Sequence, residues 1–275
     1  YVAALVALAR TFKSDTSVLG YDIMNEPWPG TDYASCETDA GCTALEQHLL
    51  APFYTKAARA IRAVDPHHLI FVEPFLTFDY EGTTSIQAFG SPANALSFHP
   101  YIAQFPGQTG KAITLSSGNG DALLATEFGA TTDVSTIDQF LDGFDSQLMP
   151  WLFWDYSMIA HQHGSSGETD EQASTALKAL ARPYPLAVAG IPIGYSFDSA
   201  SREFKLSYAS HRLNGRPFAS GTVTDVITPS ITYPDGYSVS ADGASVTSNR
   251  CAPMLTLRAT APSVTVVVRP GGGCR

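Results

Sequence analysis

The sequence predicts an α/β chain: five βα units of a (β/α)8 barrel followed by an antiparallel β-sandwich. Three observations predict it. Five apolar, strand-like segments recur in the first two-thirds, at 18–27, 69–74, 95–101, 122–129 and 150–157, with helical patterns between several of them. The segments end in polar or aromatic groups able to do chemistry, as strands do at the carboxyl face of a barrel. Beyond the Pro-rich stretch 182–192 the apolar spacing changes from helical to alternating.

The first ten residues look superficially like a secretory leader but lack a starting Met and a basic head, so they read as the end of an amphipathic helix. Residues 18–24 are nearly continuously apolar, as in a parallel strand buried on both faces. Asn25-Glu26-Pro27 stops that run. Proline lacks an N–H and holds its predecessor extended, which places Glu26 at the strand's carboxyl end. Residues 43–64 carry Leu45, Leu49, Phe53, Ala57, Ile61 and Val64 at mostly i, i+4 steps and stop at Asp65-Pro66, predicting one helix. The later strands start 26 to 28 residues apart, a spacing suited to βα repeats. Residues 101–121 are weakly patterned and read mainly as loop, whereas 135–148 and 171–180 are helical. Only five units are visible. The chain therefore reads as strands four to eight, with three more units, about 100 residues by usual barrel size, expected before Tyr1.

After 182–192, short alternating segments around Tyr195–Asp198, 204–208, 237–239, 254–257 and 264–268 read as strands, with Pro234-Asp235-Gly236 and Ala241-Asp242-Gly243 as turns. The expected domains are 1–185, the barrel part, and 186–275, the sandwich.

A net charge of −10 argues against a nucleic-acid surface, and no apolar run is long enough to span a bilayer. Cys36 and Cys42 share one loop; Cys251 and Cys274 share the β-rich tail. Two local disulfides and an exported protein follow. The spacings match no zinc pattern. His161-Gln162-His163 has no third ligand spaced nearby, so neither a metal nor another cofactor is expected.

Two carboxylates across one cleft are the minimum equipment for glycosidic hydrolysis, one protonating the leaving oxygen and one attacking the anomeric carbon. Glu26 and Glu127 both sit at strand ends. Asn25-Glu26-Pro27, His99-Pro100-Tyr101, Glu127-Phe128-Gly129 and Trp154, in that order, resemble glycoside hydrolase family 5. Within it the chain is most similar to bacterial endoglycoceramidases, through residues 20–30, the Cys36–Cys42 loop, 61–66, 126–130 and 182–198. That resemblance implies Glu26 as acid/base, Glu127 as nucleophile, Asn25 on the neighbouring sugar hydroxyl, Tyr101 holding Glu127, His99 supporting the acid/base side and Trp154 as sugar platform. It also implies an Arg and a His from earlier strands, which this chain does not contain. Pro100 stands where closer relatives carry an acidic residue.

Trp28 reads equally as cleft lining or as packing beside a Pro-rich turn. Glu73 reads as structural or sugar-contacting, since one site needs no third carboxylate. Met158-Ile159-Ala160 is an apolar patch at the cleft rim, either core or a contact for a lipid aglycone; peripheral contact of the protein with a membrane or a micelle is a separate expectation. The expected activity is retaining hydrolysis between sugar and ceramide in a glycolipid, by a protein monomeric at full length. The competing readings are an endo-β-glucanase and a non-catalytic glycan- or lipid-binding protein.

Overall fold

The computed structural model describes residues 1–36, 42–80, 82–87, 93–101, 105–159 and 170–274. Two compact units result: Tyr1–Gly129 with Pro150–Trp154, and Ala130–Met149 with Asp155–Arg275. Compactness thus groups the Val134–Ser146 and Asp170–Leu180 helices with the antiparallel strands, whereas the division at 185/186 follows chain order.

In the first unit, β1 (Gly20–Asp22), β2 (Leu69–Val72), β3 (Asn94–Phe98) and β4 (Ala122–Ala125) form a parallel sheet in the order β1-β2-β3-β4. Single parallel bridges, Ala125 to Trp151 and Gly129 to Trp154, carry the pairing one segment further. The ladders are shorter than the apolar runs that announce them. β1 spans three residues of the expected 18–27, extended by one bond from the Ile23 N–H to the Phe71 carbonyl. Gly20 is required there, because a Cβ would meet the Leu69 carbonyl. The expected strand at 150–157 is not a continuous strand: it pairs only through the two bridges, and Tyr156–Ile159 is a helical turn.

Two further expectations change. The single helix over 43–64 is instead a turn at Thr43–Leu45, a π-helical turn at Glu46–Leu50 and an α-helix at Ala51–Arg62. Pro52 explains this, since its ring clashes with the carbonyl four residues back and it has no N–H to donate; the wider turn absorbs both. Residues 101–121 contain a helix, Phe105–Asn119, where loop was expected. Its buried stripe is Gln108, Ala112 and Ser116, spaced i, i+4 but polar or small, so no hydrophobic pattern reveals it. The unit's core gathers Ala9, Tyr21, Ile23, Tyr54, Ile61 and Ile70 from the sheet and from the Val2–Phe12 and Ala51–Arg62 helices. Cys36 and Cys42 are disulfide-bonded.

The second unit holds two four-stranded antiparallel sheets. One contains β5 (Tyr184–Ala187), β8 (Thr224–Ile227), β10 (Ala244–Val246) and β11 (Met254–Ala259) in the order β10-β11-β8-β5. The other contains β6 (Ile191–Asp198), β7 (Glu203–Ala209), β9 (Tyr237–Asp242) and β12 (Ser263–Pro270) in the order β6-β7-β12-β9. Phe204, Leu206 and Tyr208 of β7 alternate inward with Val264, Val266 and Val268 of β12, and meet Val226, Leu255 and Leu257 of the facing sheet. Alternation made β6, β7, β9, β11 and β12 legible; β5, β8 and β10 are three or four residues long and were not. Within the Pro-rich 182–192 stretch, Tyr184–Ala187 is itself a strand, paired with β8. Cys251 and Cys274 are bridged, and at Gly236 (φ 83°) a Cβ would strike both sulfurs. Among the described residues, no helix is long and apolar enough to cross a membrane.

Candidate active site

Strand ends in a parallel sheet are where polar groups can emerge without breaking the ladder. The first unit uses them so. Glu26 follows β1, Glu73 follows β2, His99 and Tyr101 follow β3, and Glu127 follows β4. The structure brings all five together.

His99 is the hub. Its ring, buried at the end of β3, places Nδ1 2.8 Å from Glu26 Oε1 and Nε2 3.1 Å from Glu73 Oε1. The same Nδ1 lies 3.7 Å from Glu127 Oε2, and the Tyr101 hydroxyl donates to that oxygen at 2.7 Å. The His99 backbone N–H donates to Asp79 Oδ1 at 2.9 Å. Tyr101 stands edge-on to the imidazole, with centroids 6.5 Å apart.

Glu26 corrects an expectation. Its φ is 41°, on the left-handed side, and not extended as Pro27 alone would dictate. Such a backbone costs about 1–3 kcal/mol for a residue with a side chain and persists only where its surroundings enforce it. Here the Glu26 N–H donates to Glu73 Oε2 at 2.6 Å, and the Pro27 carbonyl accepts from the Leu76 N–H.

The charges are unequal in their settings. Burial pulls the His99 imidazole down, but its hydrogen bond to Glu73, the Glu73 charge, the Glu26 bond and the Asp79 charge outweigh that, leaving it pushed up to about 10. His99 is therefore a cation at neutral pH. Burial, joined by the Glu26 and Glu73 charges, raises the Glu127 carboxyl; the Tyr101 hydroxyl and the His99 charge pull it back towards ionisation. Burial pushes Asp79 up to about 8 against its bond from His99. Asp22, at the end of β1, is raised to about 7 by desolvation of its carboxyl and then by the Glu73 charge, though the residue as a whole stays exposed. Glu26, Asp79 and His99 have potential ligand atoms within 4.8 Å of one another. Both His99 nitrogens already face carboxylates at hydrogen-bond distance, so a cation there would have to displace a proton from the ring.

Of the remaining expected residues, Asn25 shares the Glu26 bend and is exposed. Trp154 is held beside the end of β4 by its N–H to the Phe128 carbonyl, with its ring half exposed. Gly129 permits this approach: at φ 106° a Cβ would run into the Phe153 ring. Trp28 stacks on Tyr33, with centroids 4.4 Å apart, and is about half exposed. Met158 and Ile159 are half-buried in the short helix, while Ala160, His161, Gln162 and His163 lie outside the described residues.

Sequence reasoning underrated Glu73 and passed over Asp79 and Asp22. Asp22 left a signal, a carboxylate inside an apolar strand. Asp79 left none, because only its position opposite the His99 N–H, 20 residues on, gives it meaning.

Residues 1–158 match the family described as Cellulase (glycosyl hydrolase family 5), and residues 182–268 match the glycoside hydrolase family 5 C-terminal domain. The chain is 28% identical to endoglycoceramidase I of Rhodococcus hoagii over 98% of its own length and 57% of that protein. It is 32% identical to an endoglycoceramidase of Cyanea nozakii over 73% of its length and 43% of that protein. It thus spans about half the length of these relatives. Among solved structures, the lactosyl-enzyme intermediate of endo-glycoceramidase II from Rhodococcus sp. superposes with a TM-score of 0.77 at 23% identity, over 99% of this chain and 63% of the other. The strand-end residues and the antiparallel domain thus have one common origin: the chain belongs to glycoside hydrolase family 5.

Proposed function

We propose that this chain carries the two reacting carboxylates of a retaining β-glycosidase that cleaves sugar from ceramide in glycosphingolipids. One observation carries the reading: Glu26 and Glu127 converge on the same His99 nitrogen, at 2.8 and 3.7 Å. Such convergence suits the close pair of a retaining enzyme, about 5–5.5 Å apart, better than the wider pair that leaves room for a water. Glu127 is the nucleophile. Its carboxylate attacks the anomeric carbon as the bond to the ceramide oxygen breaks, and Glu26 gives that oxygen its proton. In the second step Glu26 takes a proton from water, whose oxygen displaces Glu127 from the sugar.

Tyr101 aims Glu127 and, with the His99 cation, stabilises its ionised form. Asn25 binds the sugar hydroxyl next to the reacting carbon, Trp154 forms the platform, and Trp28 lines the cleft. The names of the relatives support a glycolipid substrate, and one solved relative is a ganglioside GM3 complex. We read β1 to β4 and the Trp151–Trp154 segment as consecutive strands of a (β/α)8 barrel, supported by their unbroken parallel order. The two disulfides support export.

A 2-fluoro glycoside should trap the glycosyl-enzyme, and peptide mass spectrometry should find the label on Glu127. A label on any other carboxylate overturns the assignment. The second reading, an endo-β-glucanase, is favoured by the cellulase description of the family. Hydrolysis of a soluble β-glucan in preference to a glycosylceramide would establish it instead.

A further inference from the structure

We propose that Glu73 is a positioning residue that fixes Glu26 from both ends, holding its backbone directly and its side chain through His99. The inference rests on the reading of Glu26 as the acid/base. Glu73 Oε2 accepts the Glu26 N–H, Glu73 Oε1 faces His99 Nε2, and His99 Nδ1 faces Glu26 Oε1, so the three residues form a closed ring of hydrogen bonds. Glu73 is itself anchored. Its side chain is 2% exposed, and its carbonyl accepts the Tyr54 hydroxyl at 2.7 Å.

A buried carboxylate left without donors is strongly disfavoured, so the two donors and Glu73 hold one another in place. The arrangement suits an acid/base that must exchange a proton twice without moving. With His99 protonated on both nitrogens, Nδ1–H always occupies Glu26 Oε1, and the travelling proton is confined to Oε2. The charged and titratable groups around the imidazole are Glu26, Glu73, Asp79, Asp22, Glu127 and Tyr101. Of these, only Glu73 binds Nε2.

Glu73→Gln tests the clamp with almost no change of shape. The amide has one acceptor oxygen, so it cannot accept from both the Glu26 N–H and His99 Nε2. In the full chain labelled with 15N-histidine, His99 should be doubly protonated at pH 7.5 in the wild type and a single Nδ1–H tautomer in Glu73→Gln. Activity on a glycosylceramide should fall about 10²-fold in kcat with little change in KM, as misplacement of a reacting group does. Glu73→Asp, which keeps the charge, should restore double protonation and part of the rate.

Unchanged His99 protonation in Glu73→Gln overturns the proposal, even if kcat falls, because the loss would then be merely structural. If a 2-fluoro glycoside labels a carboxylate other than Glu127, the reading of its function fails. The His99 spectra then decide the clamp alone, by the same two outcomes.

Discussion

Each unit of the molecule buries one cation among carboxylates, and the two clusters are built to opposite ends. In the parallel unit His99 sits between Glu26 and Glu73, with Asp79 behind it. In the antiparallel unit Arg182 is fully buried, 2.9 Å from Asp138, 3.0 Å from Asp142 and 3.1 Å from Asp145, with its guanidinium over the Phe197 ring. A guanidinium does not release its proton in a protein, so the Arg182 cluster is fixed. It ties the Val134–Ser146 helix to the start of the sandwich, and Ser199 extends the tie to Asp138. An imidazole can exchange protons, and one of its neighbours, Glu26, follows β1 and is partly open to solvent. Burial of charge therefore does not by itself mark a functional site; the proposed site differs in setting a group able to titrate beside a partly open carboxylate.

That contrast can be broken most severely at Arg182. Arg182→Met leaves Asp145 buried without its partner, and removing one member of a buried pair costs about 3–5 kcal/mol. The expected result is a large fall in the urea midpoint, with the 15N signature of His99 unaltered in whatever protein stays folded. A change at His99 would show that the two clusters are coupled. The exposed Asp142 contributes little to this total, since pairs in solvent are weak.

A smaller effect is expected from the covalent tie of the same unit. Replacing Cys251 and Cys274 together by Ser opens a loop spanning 23 residues, worth about 3 kcal/mol in chain entropy. Replacing Cys36 and Cys42 opens one spanning 6, worth about 2 kcal/mol. Thermal unfolding of the two double variants should rank them in that order; the reverse order would mean that the Cys36–Cys42 bridge does more for the parallel unit than close a short loop.

The smallest expected change lies at the start of the helix that carries Asp138, Asp142 and Asp145. Asp133 caps it, its carboxylate accepting the Thr136 N–H at 2.8 Å and the Thr136 hydroxyl. Asp133→Ala should lower the thermal midpoint less than either disulfide replacement, because it removes one exposed helix cap. The capping carboxyl is held below its usual range by the Thr136 hydroxyl and N–H. Its folded value lies below the unfolded one, so the cap's contribution is present above the ordinary carboxylate range and lost as pH falls through the folded value. The difference between wild type and variant should accordingly shrink in acid; a difference that persists there would assign the stabilisation to something other than the ionised cap.

The residues show what sequence can and cannot fix. Strand alternation in β7 and β12, the apolar runs of β2 and β3 and the local pairing of cysteines are short-range patterns, so composition and spacing determine them. Glu26 and Glu127 stood out by the strand ends they follow, whereas His99, Tyr101 and Trp154 were singled out through the resemblance to glycoside hydrolase family 5. The Phe105–Asn119 helix was not, because its buried stripe is polar and small and it forms by packing against β3 and β4. Nor was the part played by Glu73. The Glu73–Glu26 bond spans 47 residues, and Glu73 reaches His99 across 26 more. Only the parallel register of β1, β2 and β3 brings those three strand ends together. Likewise, the left-handed backbone of Glu26 opposes the local preference set by Pro27 and exists because a buried carboxylate from another strand holds its N–H. Local chemistry fixed which groups are present; tertiary packing decided which of them meet, since energies that depend on burial and contact have no counterpart in the order of residues along a chain.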